Sequence, residues 1–384
     1  MTGVGSAAFG GSGDDADGGD PRIFLTGFPG FLGSALLERL LARGDGPVAC
    51  LVQSQYLEVA RTRALEIVDG IDGLGETAIQ LYEGDITEPD LGLELADDSL
   101  RSGTFDAVRE LYHLAAVYDL GVDRELAEAV NVEGTEHVLD VARAWGVERL
   151  HYVSTCYVSG RYDGLFTEAH LEEGQSFNNH YEETKYRAEV AVQERMDEGL
   201  PATIYRPSIV VGDSRTGETD KFDGPYYLLR LLLAQPSWLS FSFALPNSSS
   251  AELNVVPRDF VVDAIAYLSD REESAGAVYQ LCDPSPLPVS AFVNVLAEAA
   301  GHRSVRVPTT RSLASAGMDL LEHTGIPVEP ETLPYLDHPT RYACPATQRA
   351  LAGSGVSVPP FPSYVDRLVA FARAHPDVGD DAMV

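Results

Sequence analysis

The chain reads as an α/β protein: a doubly wound parallel sheet carrying a smaller, mostly helical C-terminal lobe. Three observations predict this. Short apolar runs alternate with helix-patterned segments up to Gly212. A glycine-rich turn joins the first apolar run to the first helical pattern. After Gly212 the alternation weakens, and loops and prolines multiply. Strands that alternate with helices imply right-handed β-α-β units and a parallel sheet covered on both faces.

The elements follow in order. Residues 22–26 (RIFLT) make a short buried strand, then residues 27–44 (GFPGFLGSALLERLLARG) a tight turn and a helix that Gly44 ends. PVACLVQ is the second strand, YLEVARTRALEIV has helical spacing, and AIQLYEGD is the third strand. AVRELYHLAA contains the fourth, ELAEAVNVEGTEHVLDVARAWG is a long helix, and RLHYVST is the fifth. A helix carrying Tyr181 and Lys185 leads to the sixth, ATIYRPSIVVG. Beyond it, residues 252–269 and 276–283 add a strand, a helix and a strand, and residues 286–375 look largely helical. The expected division is a Gly-rich acidic tail over 1–20, a dinucleotide-binding domain over 21–212, a substrate lobe over 213–375 and a tail over 376–384. Within the lobe, 251–282 is expected to pack back on the first domain.

Composition narrows the function. Fifty-nine acids face 27 bases, for a net charge of −32 spread along the chain. Such a surface repels itself in dilute buffer and is screened in concentrated salt, which points to the cytoplasm of a salt-accumulating halophile. It argues against nucleic acid and anionic membranes as partners. The N-terminal stretch lacks the apolar run of a signal peptide. The most apolar stretch, residues 226–246, is interrupted by Arg230 and Pro236 and does not read as a membrane span. Cys50, Cys156, Cys282 and Cys344 lie far apart without a C-x-x-C, and the nine histidines show no ligand spacing, so no metal is expected.

The first candidate site is Thr26-Gly27-Phe28-Pro29-Gly30-Phe31-Leu32-Gly33, between a strand and a helix. Gly27 suits the tight turn, Gly30 lets backbone approach a pyrophosphate, and Gly33 lets helix and strand pack closely. The helix N-terminus adds free N–H groups. An acid at the end of the second strand would bind a ribose 2′-hydroxyl, but none falls between Leu51 and Tyr56. Gln53, Ser54 and Gln55 are there instead, with Arg61 and Arg63 further on. This favours NADP(H), with NAD(H) as the alternative.

The second candidate is the pair Tyr181 and Lys185. The chain holds only two lysines, and this one lies four residues from a tyrosine, on the same helical face. A nearby ammonium is expected to lower a phenol's pKa and make it a better acid–base group. Lysine's compact charge suits that role better than arginine's planar fork. Ser154 and Thr155, at the end of the fifth strand, offer a hydroxyl to hold a carbonyl near Tyr181.

Together, TGxxGxxG, the HLAA after the fourth strand, VST and YxxxK resemble the extended short-chain dehydrogenase/reductases over about residues 21–300. GDITEPDLGL, RPSIVVGDSRTGETDKFDGPYYLL and NVVPRDFV resemble one branch, that of fatty acyl-CoA reductases and the thioester reductase domains of carboxylic acid reductases and nonribosomal peptide synthetases. The resemblance implies a Rossmann fold and catalytic roles for Thr155, Tyr181 and Lys185, with Thr155 preferred to Ser154 and Asn131 in support. It implies cofactor contacts from Asp85, Ile86, Ala115, Ala116, Pro207 and Ser208. It departs at Gln53, where the branch often has arginine, and over the last 80 residues, which do not fit its pattern.

The reaction expected is reduction of an acyl thioester, aldehyde or ketone, the acyl group arriving in trans on CoA or a carrier protein. Segment 226–245 would wall an acyl tunnel or simply form lobe core; Lys221 and Arg215 would meet a phosphate or lie on the surface. A nucleotide-sugar epimerase or dehydratase and a dinucleotide-binding sensor or assembly factor are the competing readings. A homodimer through helices flanking strands four and five is also implied.

Overall fold

The computed structural model describes residues 20–93, 105–238, 240–244, 250–308 and 330–379. The expected tails at 1–19 and 380–384 lie outside the described residues. Seven strands form one sheet: β1 (Ile23–Thr26), β2 (Val48–Val52), β3 (Ile79–Glu83), β4 (Glu110–His113), β5 (Arg149–Val153), β6 (Ala202–Pro207) and β7 (Val278–Leu281). Their order is β7-β6-β5-β4-β1-β2-β3, and every pair is parallel. The chain therefore builds outward from β1 in one direction, then returns past it to build in the other. The reversal leaves a crevice between the C-terminal ends of β1 and β4, where Thr26 lies opposite both Leu51 and His113.

The pleat explains the two cores. Successive strand side chains point to opposite faces. Ile23, Leu25, Val48, Cys50 and Val52 face helices α1 (Phe31–Arg43) and α2 (Leu57–Gly70). Phe24, Ala49, Leu51, Leu111 and Leu150 face α3 (Gly134–Trp145) and α4 (His180–Asp197). Both faces are covered, so the strands are apolar throughout rather than alternating. The long helix expected over 125–146 is interrupted. Arg124–Ala127 is α-helical, Glu128–Glu133 is a π turn, and α3 follows. Such π turns are frequent at functional sites, and this one holds Asn131.

The lobe has a separate core around α5 (Pro225–Leu233), α7 (Val289–Ala299) and α8 (Val365–Ala374), with Tyr226, Leu229, Phe292, Phe361 and Tyr364 buried in it. Between α5 and α7, α6 (Arg258–Ser269) joins the α1 face of the main sheet through Val261, Val262 and Ile265. The lobe is less purely helical than its sequence predicts. Ser240–Ala244 pairs with Ser304–Pro308, Val255–Pro257 with Ile209–Val211, and Thr340–Tyr342 with Gly164–Phe166, all parallel. Runs of three to five residues are too short to carry a recognisable period. Among the described residues no helix is long and apolar enough to cross a membrane.

Cys156, Cys282 and Cys344, distant in sequence, meet in one buried cluster with Phe166 and Tyr342. Cys50 is in the main core. His113 and His338 are buried, and desolvation pushes both down to about 3. Each is therefore neutral in the fold but titrates near 6.5 once unfolded. A depressed folded pKa means that stability is complete above the unfolded value and is lost as pH falls. We expect unfolding free energy to drop by about 1.4 kcal/mol per pH unit per histidine below pH ~6.5. Buried Glu182, whose pKa burial raises, works in the opposite sense with one proton. Urea titrations at pH 7, 6 and 5 check the net fall, and His113→Asn should flatten it by one group.

Candidate active site

The crevice at the strand reversal opens into a cleft of about 680 Å³ between the main sheet and the lobe. Its floor is the turn between β1 and α1. Gly27 has φ +92°, and a Cβ there would sit 2.8 Å from the Ala115 nitrogen. A Cβ on Gly33 would sit 2.2 Å from the Gly27 oxygen. Both glycines thus answer a contact that any side chain would block. Gly30 N donates to Gly27 O at 2.9 Å and opens α1, where no side chain caps the first turn and no acid lies in it. Free N–H groups and the positive dipole end therefore face the cleft. Gly33→Ala should shift this turn and weaken dinucleotide binding by about tenfold or more, ~1.4 kcal/mol, measurable by fluorescence titration without any turnover.

Thr26 ends β1 and ties the turn to β4. Its Oγ1 is 2.8 Å from His113 Nδ1, and it accepts from Ala115 N at 3.2 Å. His113 Nε2 lies 3.1 Å from Thr135 Oγ1 on α3. Ala115 and Ala116 follow and line the cleft. At the opposite end, Gln53 Nε2 donates to Asp85 Oδ2 at 2.8 Å, and Thr87 holds the other oxygen of Asp85. One N–H of the Gln53 amide is therefore engaged by Asp85. Arg63 lines the cleft; Arg61 instead pairs with Glu58 on the surface. Arg63 Nη1 donates to Pro29 O at 3.2 Å and to Asp220 Oδ2 at 2.7 Å.

The hydroxyl, phenol and ammonium expected at the site converge. Thr155 follows β5 in extended backbone, its Oγ1 accepting from Tyr157 N at 3.2 Å and donating to Pro207 O at 3.4 Å. Tyr181 lines the same cleft as Thr155 and Lys185. Ser154 is turned to a different task, donating to Glu189 Oε2 at 2.5 Å. Asn179 caps α4 by accepting from Glu182 N at 2.9 Å, so Tyr181 lies in the first turn and Lys185 one turn later. Lys185 Nζ donates to Val153 O at 2.9 Å and stands 4.4 Å above the Tyr152 ring.

The electrostatics differ in part from the expectation. Burial pushes the Tyr181 phenol up, and the force that pulls it down is the Thr155 hydrogen bond rather than the ammonium. Lys185, 2% exposed, is itself pushed down to about 7 by burial, with Glu189 opposing. Tyr181 is thus a protonated donor at neutral pH, and Lys185 is poised to gain charge if an anion or hydroxyl reaches it.

Every expected cofactor contact lines this cleft: the whole of Thr26–Gly33, Gln53, Asp85, Ile86, Ala115, Ala116, Tyr181, Lys185, Pro207 and Ser208. Asn131 does not. It is 1% exposed; its Oδ1 accepts from Val117 N at 2.9 Å and its Nδ2 donates to Thr184 Oγ1 at 3.1 Å. It joins the segment after β4 to α4, next to Lys185. Sequence reasoning misses Tyr118, Tyr157, Asp220 and Asp223, all of which line the cleft. Lys221 also lines it, donating to Tyr118 O at 3.2 Å and pairing with Asp223 at 2.8 Å. Arg215 does not; it is largely exposed and faces Asp259 and Asp263. Of segment 226–245, residues 239 and 245 lie outside the described residues, Tyr226, Leu229 and Leu232 are lobe core, and Leu228 lines a pocket beside the site.

The residues present fit a dinucleotide. The uncapped helix end and two obligatory glycines form a cradle for a pyrophosphate, and Ser208 Oγ is buried without a partner beside Pro207. Comparison with known proteins agrees. The terminal R domain of the myxalamid PKS-NRPS pathway superposes with a TM-score of 0.77 at 26% identity, covering 95% of this chain and 94% of that one. Aldehyde reductase lnaA of Aspergillus flavus is 31% identical over 287 residues, 69% of this chain and 26% of that protein. Nonribosomal peptide synthetase asaC of the same organism is 27% identical over 338 residues, 83% of this chain and 32% of that protein. The chain thus spans only a small part of these longer curated relatives. Residues 25–265 match the NAD-binding family described as male sterility protein. With that match over most of its length, a seven-stranded Rossmann sheet and the cleft at its reversal point, the chain belongs to this family, the thioester reductase-like branch of the extended short-chain dehydrogenase/reductases.

Proposed function

We propose that the protein is an NAD(P)H-dependent reductase of an acyl thioester or of an aldehyde or ketone, acting through Thr155, Tyr181 and Lys185. The observation that carries this reading is the convergence of a buried, protonated phenol, its hydroxyl partner and a buried ammonium on the same cleft as the glycine turn. When bound, the nicotinamide supplies the hydride. The chain's residues do the rest. Thr155 and Tyr181 orient the carbonyl oxygen by hydrogen bonds, and Tyr181 gives that oxygen its proton as negative charge develops. Lys185 holds the ribose side of the site and recharges the donor network. Asn131 fixes the segments on which these groups stand.

NADP(H) is the favoured cofactor. Its support is the lack of an acid at the end of β2 and the presence of Arg63 in the cleft, 30% exposed at its side chain. Arg63→Ala should raise KM for NADPH at least tenfold more than for NADH; equal effects would assign NAD(H) instead. The acyl group arrives on CoA or on a carrier protein, in keeping with relatives that are parts of peptide synthetases. The acidic surface fits a halophile's cytoplasm, and dialysis from molar KCl into dilute buffer should abolish cooperative unfolding.

The test of function is dinucleotide oxidation with an acyl-CoA series, then aldehydes and ketones. Thioester-dependent oxidation assigns the thioester class; activity with aldehydes or ketones alone assigns the simpler carbonyl class. Silence with all of them, with dinucleotide bound, would overturn the reading in favour of sugar-nucleotide or sensor chemistry.

A further inference from the structure

We propose that the cleft adjoins a small subsite for a short, uncharged aliphatic group attached to the reacting carbonyl, and that Leu228 and Tyr335 set its length. This rests on the carbonyl-reductase reading and adds the size class of the substrate to it.

A second pocket of about 50 Å³ adjoins the cleft. Tyr118, Tyr157, Tyr181 and Ile209 line both, so it opens beside the proton donor. Its remaining wall is Leu120 and the lobe, and mostly apolar: Pro225, Leu228, Leu253 and Leu336. Among the described residues no charged side chain lines it. A charged substituent would lose its hydration there without gaining a partner. An apolar one would gain, by roughly fourfold in affinity per methylene. At ~10–15 Å³ for each water-sized group, the space takes about three to five non-hydrogen atoms.

The wall is held rather than adaptable. Tyr335 OH donates to Glu182 Oε1 at 2.6 Å and accepts from Asn179 Nδ2 at 3.0 Å. Glu182 also accepts from Asn178 N at 2.8 Å and Asn178 Nδ2 at 3.0 Å, and it is fully buried. The Tyr335 ring packs edge-on against Tyr157 at 5.0 Å. Swinging Tyr335 aside would cost buried Glu182 one of its hydrogen bonds. Leu228 cannot retreat either, because Tyr226, Leu229 and Leu232 anchor its helix in the lobe core. The substrate therefore fits the wall, and the wall does not open for a longer chain.

The experiment measures kcat/KM on the full chain with straight-chain saturated aldehydes of two to ten carbons and the reduced dinucleotide. The expected profile rises to a maximum at about four to six carbons and falls at least tenfold by ten. Leu228→Ala should move the maximum one to three carbons longer, as should Leu253→Ala, with dinucleotide affinity measured on each variant to establish that it is folded. A wild-type profile that is flat or still rising at ten carbons overturns the subsite while leaving the reductase reading intact. So does an unmoved maximum in both variants with normal dinucleotide affinity. No turnover of any aldehyde or acyl-CoA, with dinucleotide bound, overturns both.

Discussion

Tyr181→Phe is expected to lower turnover by about 10²–10⁴-fold, the range of a lost general acid, while dinucleotide affinity stays near that of the wild type. The substitution removes one oxygen and keeps the ring, which packs edge-on against Tyr118 at 5.0 Å. The fold of the cleft therefore survives, and a drop in turnover reports chemistry. Thr155→Val provides the companion measurement. Thr155 is the group that pulls the phenol's pKa down against burial, so its loss should slow turnover less than Tyr181→Phe does. Serine at 155 should restore most of the rate; a purely structural threonine would not respond in this graded way. Near-normal turnover of Tyr181→Phe would remove this residue from the chemistry.

The second large effect is on stability. Arg206 on β6 and Glu189 on α4 are both fully buried, with Nη2–Oε1 at 2.5 Å and Nε–Oε1 at 2.9 Å. Ser154 donates to the same carboxylate. Removing one charge leaves the other buried without compensation, which costs about 3–5 kcal/mol. Glu189→Gln and Arg206→Met should each lose that amount, lowering Tm by roughly 4–6 °C for a chain of this size. The double variant should lose much less than the sum, since neither charge then remains stranded. Additive losses would show that packing, and not the ion pair, was at stake. The pair also joins the strand that ends at Pro207, just before Ser208, to the helix that carries Tyr181 and Lys185, so turnover should fall with stability in the single variants.

The parts of the site legible in the sequence are those set by local demand. A turn between a strand and a helix that must admit backbone at 2.2–2.8 Å has only glycine to use, and the spacing of Gly27, Gly30 and Gly33 shows it. Two residues four apart on a helix share a face whatever surrounds them, so Tyr181 and Lys185 are readable too. The parts that are not legible depend on partners distant in sequence. Arg63 finds Asp220 and Glu182 finds Tyr335 across the junction of sheet and lobe. Neither pairing leaves a period or a motif. The three cysteines that meet beside Phe166 look unrelated in sequence for the same reason. The expected effect of Lys185 on Tyr181 follows from spacing alone, but the ammonium is drawn to Val153 O and the Tyr152 ring. Asn131 is visible by resemblance, but its tie between the Val117 backbone and the Thr184 hydroxyl shows only in the structure.

The most direct test of this chemistry is a single turnover with a reduced dinucleotide carrying deuterium at the nicotinamide C4 and the carbonyl substrate that performs best. One deuterium is expected on the former carbonyl carbon of the product, and no product at all from Tyr181→Phe on the same timescale. Product that carries no label, or dinucleotide that returns unchanged after substrate has been isomerised, would contradict hydride transfer to a carbonyl at this site.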